Sequence, residues 1–103
     1  MDKIAMLGLI LQQNPKDAFA RYGLAMEHVS QQNLDAAFAE FVRLIDLNPD
    51  YVPGYQMYAQ TLVTAGRTAE AVAVLRRGME CAQRVNNQHA LAEMGQLLEE
   101  LEA

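Results

Sequence analysis

Apolar residues recur along this chain every three or four positions in six runs, each broken off by a short polar turn. That spacing places them on one side of a helix and predicts six amphipathic helices. The first run, over 2–13, carries Ile4, Leu7, Ile10 and Leu11 and ends at Asn14-Pro15, because proline disfavours helical geometry in the residue before it. A second helix starts near Lys16 or Asp17 and reaches Gln31, with a stripe of Phe19 or Ala20, Tyr22 to Leu24, Ala25, His28 and Val29. Asn33 is the expected cap of the third, its side-chain oxygen open to a free amide of the first turn. That helix carries Leu34, Ala37, Phe38, Phe41, Leu44, Ile45 and Leu47 and stops at Asn48-Pro49. The fourth admits Pro53 in its first turn, runs to about Ala65, and meets Gly66, a residue suited to the left-handed position after a helix end. Thr68 is the expected cap of the fifth, which points Val72, Leu75, Met79 and Ala82 inward and reaches Arg84. After the Asn86-Asn87 turn, the last helix carries Leu91, Met94, Leu98 and Leu101. Short turns make sequential helices antiparallel neighbours, and no strand pattern competes.

The helices are not independent of one another in sequence. Leu24-Ala25, Ala37, Phe41, Leu44 and Ile45 return 34 residues later as Tyr58-Ala59, Ala71, Leu75, Gly78 and Met79. A fixed period of this length marks stacked helical hairpins, an architecture that presents a concave surface to another polypeptide. Pro15 and Pro49 keep the same interval, and Leu7, Ile10 and Leu11 fall opposite Phe41, Leu44 and Ile45.

These residues resemble the tetratricopeptide repeat. Leu24, Ala25 and His28, then Tyr58, Ala59 and Leu62, follow the large–small–large order of that family's first helix, and Tyr55 stands where the family often has tryptophan. Ala37 and Phe41, then Ala71, Leu75 and Gly78, follow its second helix. The departures are Arg21 at the tryptophan-like position of the first repeat, large Leu44 at a small one, Gln83 where a second repeat-ending proline is expected, and Gly95 inside a helix. The resemblance implies an all-α solenoid of antiparallel helix pairs in a single domain spanning 1–103. A half-repeat caps it over 1–15, two full repeats occupy 18–83, and a capping helix closes 86–103. It also implies that the first helices of the repeats form a groove from Phe19, Tyr22, Met26 and Ser30, then Pro53, Gln56, Gln60, Val63 and Thr64. Phe19 and Tyr22 have an alternative use as packing against the N-terminal helix. Some family members hold acidic C-terminal tails of chaperones with lysines and asparagines; here those places hold Tyr22, Met26, Gln56 and Gln60, so the cationic clamp is missing.

Composition narrows the function further. The chain has 103 residues, a net charge of −5 and 51% apolar residues, a profile of one globular domain that fits neither disorder nor an anionic nucleic-acid or membrane surface. Its last nineteen residues hold Glu93, Glu99, Glu100 and Glu102 with no lysine or arginine. The single cysteine, Cys81, cannot make an internal disulfide and reads as a buried thiol, which together with Asp2 and Gln12-Gln13 flanking the short apolar run favours the cytoplasm over secretion. His28 and His89 lack the further ligands of a zinc site, and His28 fills a packing position. Arg76-Arg77, with Arg67 and Arg84, forms the densest basic patch, read as solvated surface beside Glu70 and Glu80. No phosphate-cradling glycine loop, nucleophile–base pair or metal-ligand cluster is present, so neither catalysis, cofactor nor small-molecule substrate is expected. The expected role is binding a peptide or helix of an unidentified protein. The alternative is self-association, for which the six methionines offer adaptable surface and two-fold dimers the simplest geometry, and after it a nucleic-acid accessory role through the helix of Arg76-Arg77.

Overall fold

The computed structural model describes all residues from Met1 to Ala103. Six helices and no strands make up the chain: α1 (Lys3–Gln13), α2 (Ala18–Ser30), α3 (Leu34–Leu47), α4 (Val52–Thr64), α5 (Thr68–Arg84) and α6 (Gln88–Glu102). They pack as two compact units, Met1–Pro49 and Asp50–Ala103. The all-α helical-repeat reading holds.

Two chemistries set the helix boundaries. Side chains start three helices: Asp2 accepts from the Ala5 amide at 2.8 Å, Asp17 from Ala20 at 2.9 Å and Asn87 from Ala90 at 3.0 Å. Pro53 sits in the first turn of α4 as expected, and two helix starts differ from expectation. Asn33 is the N-cap of α3, but its side chain makes no capping bond, and Thr68 is already inside α5 with Arg67 as the N-cap. Order there comes from the preceding helix end. Gln32, Gly66 and Asn86 adopt φ of 59°, 77° and 61°. The next amide in each case reaches back five residues: Asn33 to the His28 carbonyl at 2.9 Å, Arg67 to Leu62 at 2.9 Å, Asn87 to Ala82 at 2.8 Å. This left-handed closure satisfies carbonyls that a helix end otherwise leaves open, so a side-chain cap is dispensable.

In the first unit α2 packs on both α1 and α3. Leu11, Ala20 and Leu24 form one buried cluster, with Ile4 and Leu7 packed on it. Ile10 departs from the expected inward stripe: it is exposed, together with Met6 and Leu9. Three residues of α1 (Ile4, Leu7, Leu11) already cover what α2 offers, so the opposite side of this short helix stays open despite its apolar character. Ala25 and Ala37 are fully buried on the paired helices α2 and α3, where a methyl group is all the helix crossing admits.

Arg21 resolves the first departure. It is buried, donating from Nη1 to Glu40 at 2.7 Å and from Nη2 to the Pro15 carbonyl at 2.9 Å. The second unit puts Tyr55 and Val74, both buried, one period further on. An ion pair in one repeat thus stands where the other has an apolar pair.

In the second unit α5 packs on α4 and on α6, and α4 and α6 meet only along one edge. Gly78 makes this possible: a Cβ there would sit 2.6 Å from Met94 Sδ and 2.7 Å from Tyr55 Cβ. Val72, expected inward, is half-buried, and Val74 takes the inner place beside Leu75. Gly95 makes no such close approach; a Cβ there would meet Met79 Cε at 3.5 Å.

Candidate functional site

Because α4 and α6 both lean on α5 and barely touch each other, they leave a groove between them. It encloses about 290 Å³. Buried Leu75 and Met94 lie at its floor and half-buried Leu97 gives it accessible apolar surface; Gln56 and Gln60 line it from α4, and Glu93, Gln96 and Glu100 from α6. Gln56 and Gln60 are one helical turn apart and so share a face, as do Glu93 and Glu100 two turns apart. Gln56 Nε2 bridges the walls, donating to Glu93 Oε1 at 3.3 Å. His89 Nε2 lies 3.3 Å from the same oxygen, one turn earlier on α6.

Of the expected site residues on α4, Gln56 and Gln60 line this groove and Pro53, Val63 and Thr64 do not. Pro53 is exposed in the first turn, Val63 is half-buried, and the Thr64 hydroxyl donates back to the Gln60 carbonyl at 3.1 Å. On α2, Phe19, Tyr22 and Met26 follow one another at helical spacing, with Ser30 a turn beyond. Phe19 is 80% exposed and therefore does not pack against the N-terminal helix; Tyr22 and Met26 are half-buried and Ser30 is exposed. Burial lifts the Tyr22 phenol above its ordinary range. Residues of α6 were not anticipated as groove-forming. The spacing of Glu93, Gln96, Leu97 and Glu100 was visible, but a terminal cap is expected to face solvent with its polar side.

Cys81 is a fully buried free thiol, and burial pushes its pKa up, away from the reactive thiolate. His28 is half-buried, and its Nδ1 is enclosed without a hydrogen-bond partner. Each arginine of the basic patch is engaged. Arg67 grips Glu70 at 2.7 Å, Arg76 reaches Glu102 at 2.7 Å, Arg84 reaches Asp50 at 2.8 Å, and Arg77 lies over the Tyr55 ring at 5.8 Å. The Arg67 bond holds the Glu70 carboxyl below its usual range, and the Asp50 bond raises Arg84. No three His, Cys, Asp or Glu side chains come together in a way that could hold a metal.

Comparison with known proteins agrees with this architecture. The family model described as tetratricopeptide repeat matches residues 28–95. The solution structure of a tetratricopeptide repeat domain protein from Salinibacter ruber is 32% identical with a TM-score of 0.81, over 86% of this chain and 90% of that one. The TPR2B domain of yeast Sti1, in a complex with pHsp70, has a TM-score of 0.86 at 20% identity, over 96% of this chain and 79% of that one. A protein from Bordetella parapertussis has a TM-score of 0.81 at 22% identity, over 99% and 89%. The last two likenesses show the fold alone. No curated protein matches the chain. With period, small-residue crossings and left-handed turns all in agreement, the chain belongs to the tetratricopeptide repeat family, whose fold commonly mediates protein–protein interaction.

Proposed function

We propose that this chain is a non-catalytic module that holds a segment of a partner protein in the groove between α4 and α6. The observation that carries the reading is the groove itself: an open channel with half-buried Leu97 as its accessible apolar surface over a buried floor of Leu75 and Met94, and amide side chains on both walls. Apolar surface supplies affinity for side chains, and glutamine amides can donate and accept with a peptide backbone. The yeast Sti1 domain in its pHsp70 complex shows the same fold engaged with a partner. On α2, exposed Phe19 and Ser30 with half-buried Tyr22 and Met26 offer a second contact surface on the first unit. A reduced buried Cys81 suits action in the cytoplasm, and no helix is long and apolar enough to cross a membrane.

The test is to pan a random displayed peptide library on the intact protein and on Gln60→Trp, whose indole fills the groove from an exposed position. Circular dichroism checks that the variant keeps its helices. Peptides enriched on the wild type and lost on Gln60→Trp support the reading; equal recovery on both refutes it.

One observation favours a second reading, self-association: α1 exposes Met6, Leu9 and Ile10 side by side. Light scattering across a concentration series decides it, and a strict monomer at high micromolar concentration removes it.

A further inference from the structure

The groove between α4 and α6 has a sign. It is lined by two carboxylates, Glu93 and Glu100, and three neutral amides, Gln56, Gln60 and Gln96, with no lysine or arginine among them. The nearby arginines do not neutralise it. Arg76 is held by Glu102, Arg84 by Asp50 and Arg67 by Glu70, and none of these pairs uses Glu93 or Glu100. Glu93 meets only the neutral Gln56 amide and the His89 ring, and its side chain stays 56% exposed. We infer that the groove selects a basic peptide, one carrying two lysines or arginines about three residues apart in a polyproline II segment. The inference rests on the proposal that this groove holds a peptide.

The spacing follows from helix geometry. Glu93 and Glu100 are seven residues apart, two turns of α6, and so lie on one face about 10 Å from each other along the axis. A peptide in the polyproline II conformation advances about 3.1 Å per residue with three residues per turn, so side chains three residues apart share one face and span about the same distance. Residues between them meet Leu97, half-buried on α6 between the two carboxylates, with Met94 buried beneath. The half-open setting matters for the energetics. Each carboxylate can attract a cation without being stripped of water, so the charges contribute mainly selectivity and rate and are screened by salt. An acidic segment meets two like charges and no lysine or arginine in the lining.

The library selection supplies the probe, with the composition of the enriched pool as the readout. Three proteins are panned: the wild type, the groove-filled Gln60→Trp, and Glu93→Gln with Glu100→Gln, a change of charge at nearly constant shape. The inference expects paired lysine or arginine at an interval of three in the wild-type pool, and depletion of aspartate and glutamate. It expects that bias to vanish on the double glutamine variant. A basic peptide from the pool should lose roughly tenfold in affinity for that variant, and a similar factor between low and high salt. A wild-type pool that is neutral or acidic overturns the inference, as does a basic bias that survives both glutamine changes; the groove reading stands in either case if Gln60→Trp still abolishes enrichment. Enrichment that ignores Gln60→Trp overturns both.

Discussion

Arg21 and Glu40 form a 2.7 Å ion pair within the first unit, at the two positions that Tyr55 and Val74 fill one period later. The Arg21 side chain is 4% exposed and that of Glu40 19%, so the guanidinium depends on its partner and on the Pro15 carbonyl for solvation. Its Nε is buried without a hydrogen-bond partner, which leaves it less than fully satisfied. Glu40→Val alone should therefore cost about 2–4 kcal/mol by stranding a buried charge. Arg21→Tyr together with Glu40→Val should recover most of that loss, because replacing a buried ion pair by apolar residues of similar volume is often neutral or better. A double-mutant cycle by denaturant unfolding measures both numbers; a double variant no more stable than Glu40→Val would show that the two repeats are not interchangeable here.

Two glycines in helices should respond oppositely to the same substitution. Gly78→Ala drives a methyl group into Tyr55 Cβ and Met94 and should cost about 1–3 kcal/mol. Gly95→Ala meets only Met79 Cε at 3.5 Å and should gain up to about 1 kcal/mol from helix propensity. Thermal unfolding of the pair reads the sign directly.

Gln32 stands 34 residues before Gly66 and adopts the same left-handed backbone, φ 59° against 77°. Left-handed geometry costs a side-chain-bearing residue about 1–2 kcal/mol, partly offset by the greater freedom glycine has when unfolded. Gln32→Gly should stabilise by about 0.5–1 kcal/mol and Gly66→Ala should destabilise by a similar amount. Unfolding midpoints of the two variants, shifted in opposite directions, are the expected outcome.

Two phenylalanines differ just as sharply. Phe41 is fully buried and Phe19 is 80% exposed. Phe41→Ala should cost about 3–5 kcal/mol, and Phe19→Ala less than about 0.5 kcal/mol. A large loss for Phe19→Ala would place that ring in a packing role.

Stability should fall on the alkaline side. Burial raises the pKa of Cys81, Tyr22 and Tyr55 in the folded chain. The folded protein thus keeps protons that the unfolded chain releases above about pH 8.5 for the thiol and about 10 for the phenols. In that range folding must oppose ionisation, and stability drops as pH rises. Denaturant midpoints between pH 7 and pH 10.5 check this, and Cys81→Ala should flatten the first part of the decline.

Most of the fold was legible because the constraints are local and repeated. A 34-residue period, alanines at helix crossings and a proline or glycine at helix ends leave few alternatives. Helix starts were less legible where the structure uses backbone closure instead of a side chain: Asn33 and Thr68 have the right chemistry for caps, yet Gln32 and Gly66 settle the turn first. Ile10 shows a different limit, since periodicity says that α1 has an apolar side but not how much of it a partner helix covers. At the candidate site, Gln56 and Gln60 follow from repeat register. Glu93, Gln96, Leu97 and Glu100 do not, because a cap that also forms a groove wall has the same sequence pattern as one that faces water.

The central claim, that the groove between α4 and α6 is a polypeptide-binding surface, is tested most directly by amide NMR during titration with a library-selected peptide. The account predicts the largest shift changes at Gln56, Gln60, Glu93, Gln96, Leu97 and Glu100, with little change at Arg67, Arg76 or Arg84. Changes centred on the arginine side of α5, or on Met6, Leu9 and Ile10 of α1 with the groove amides unmoved, would contradict it.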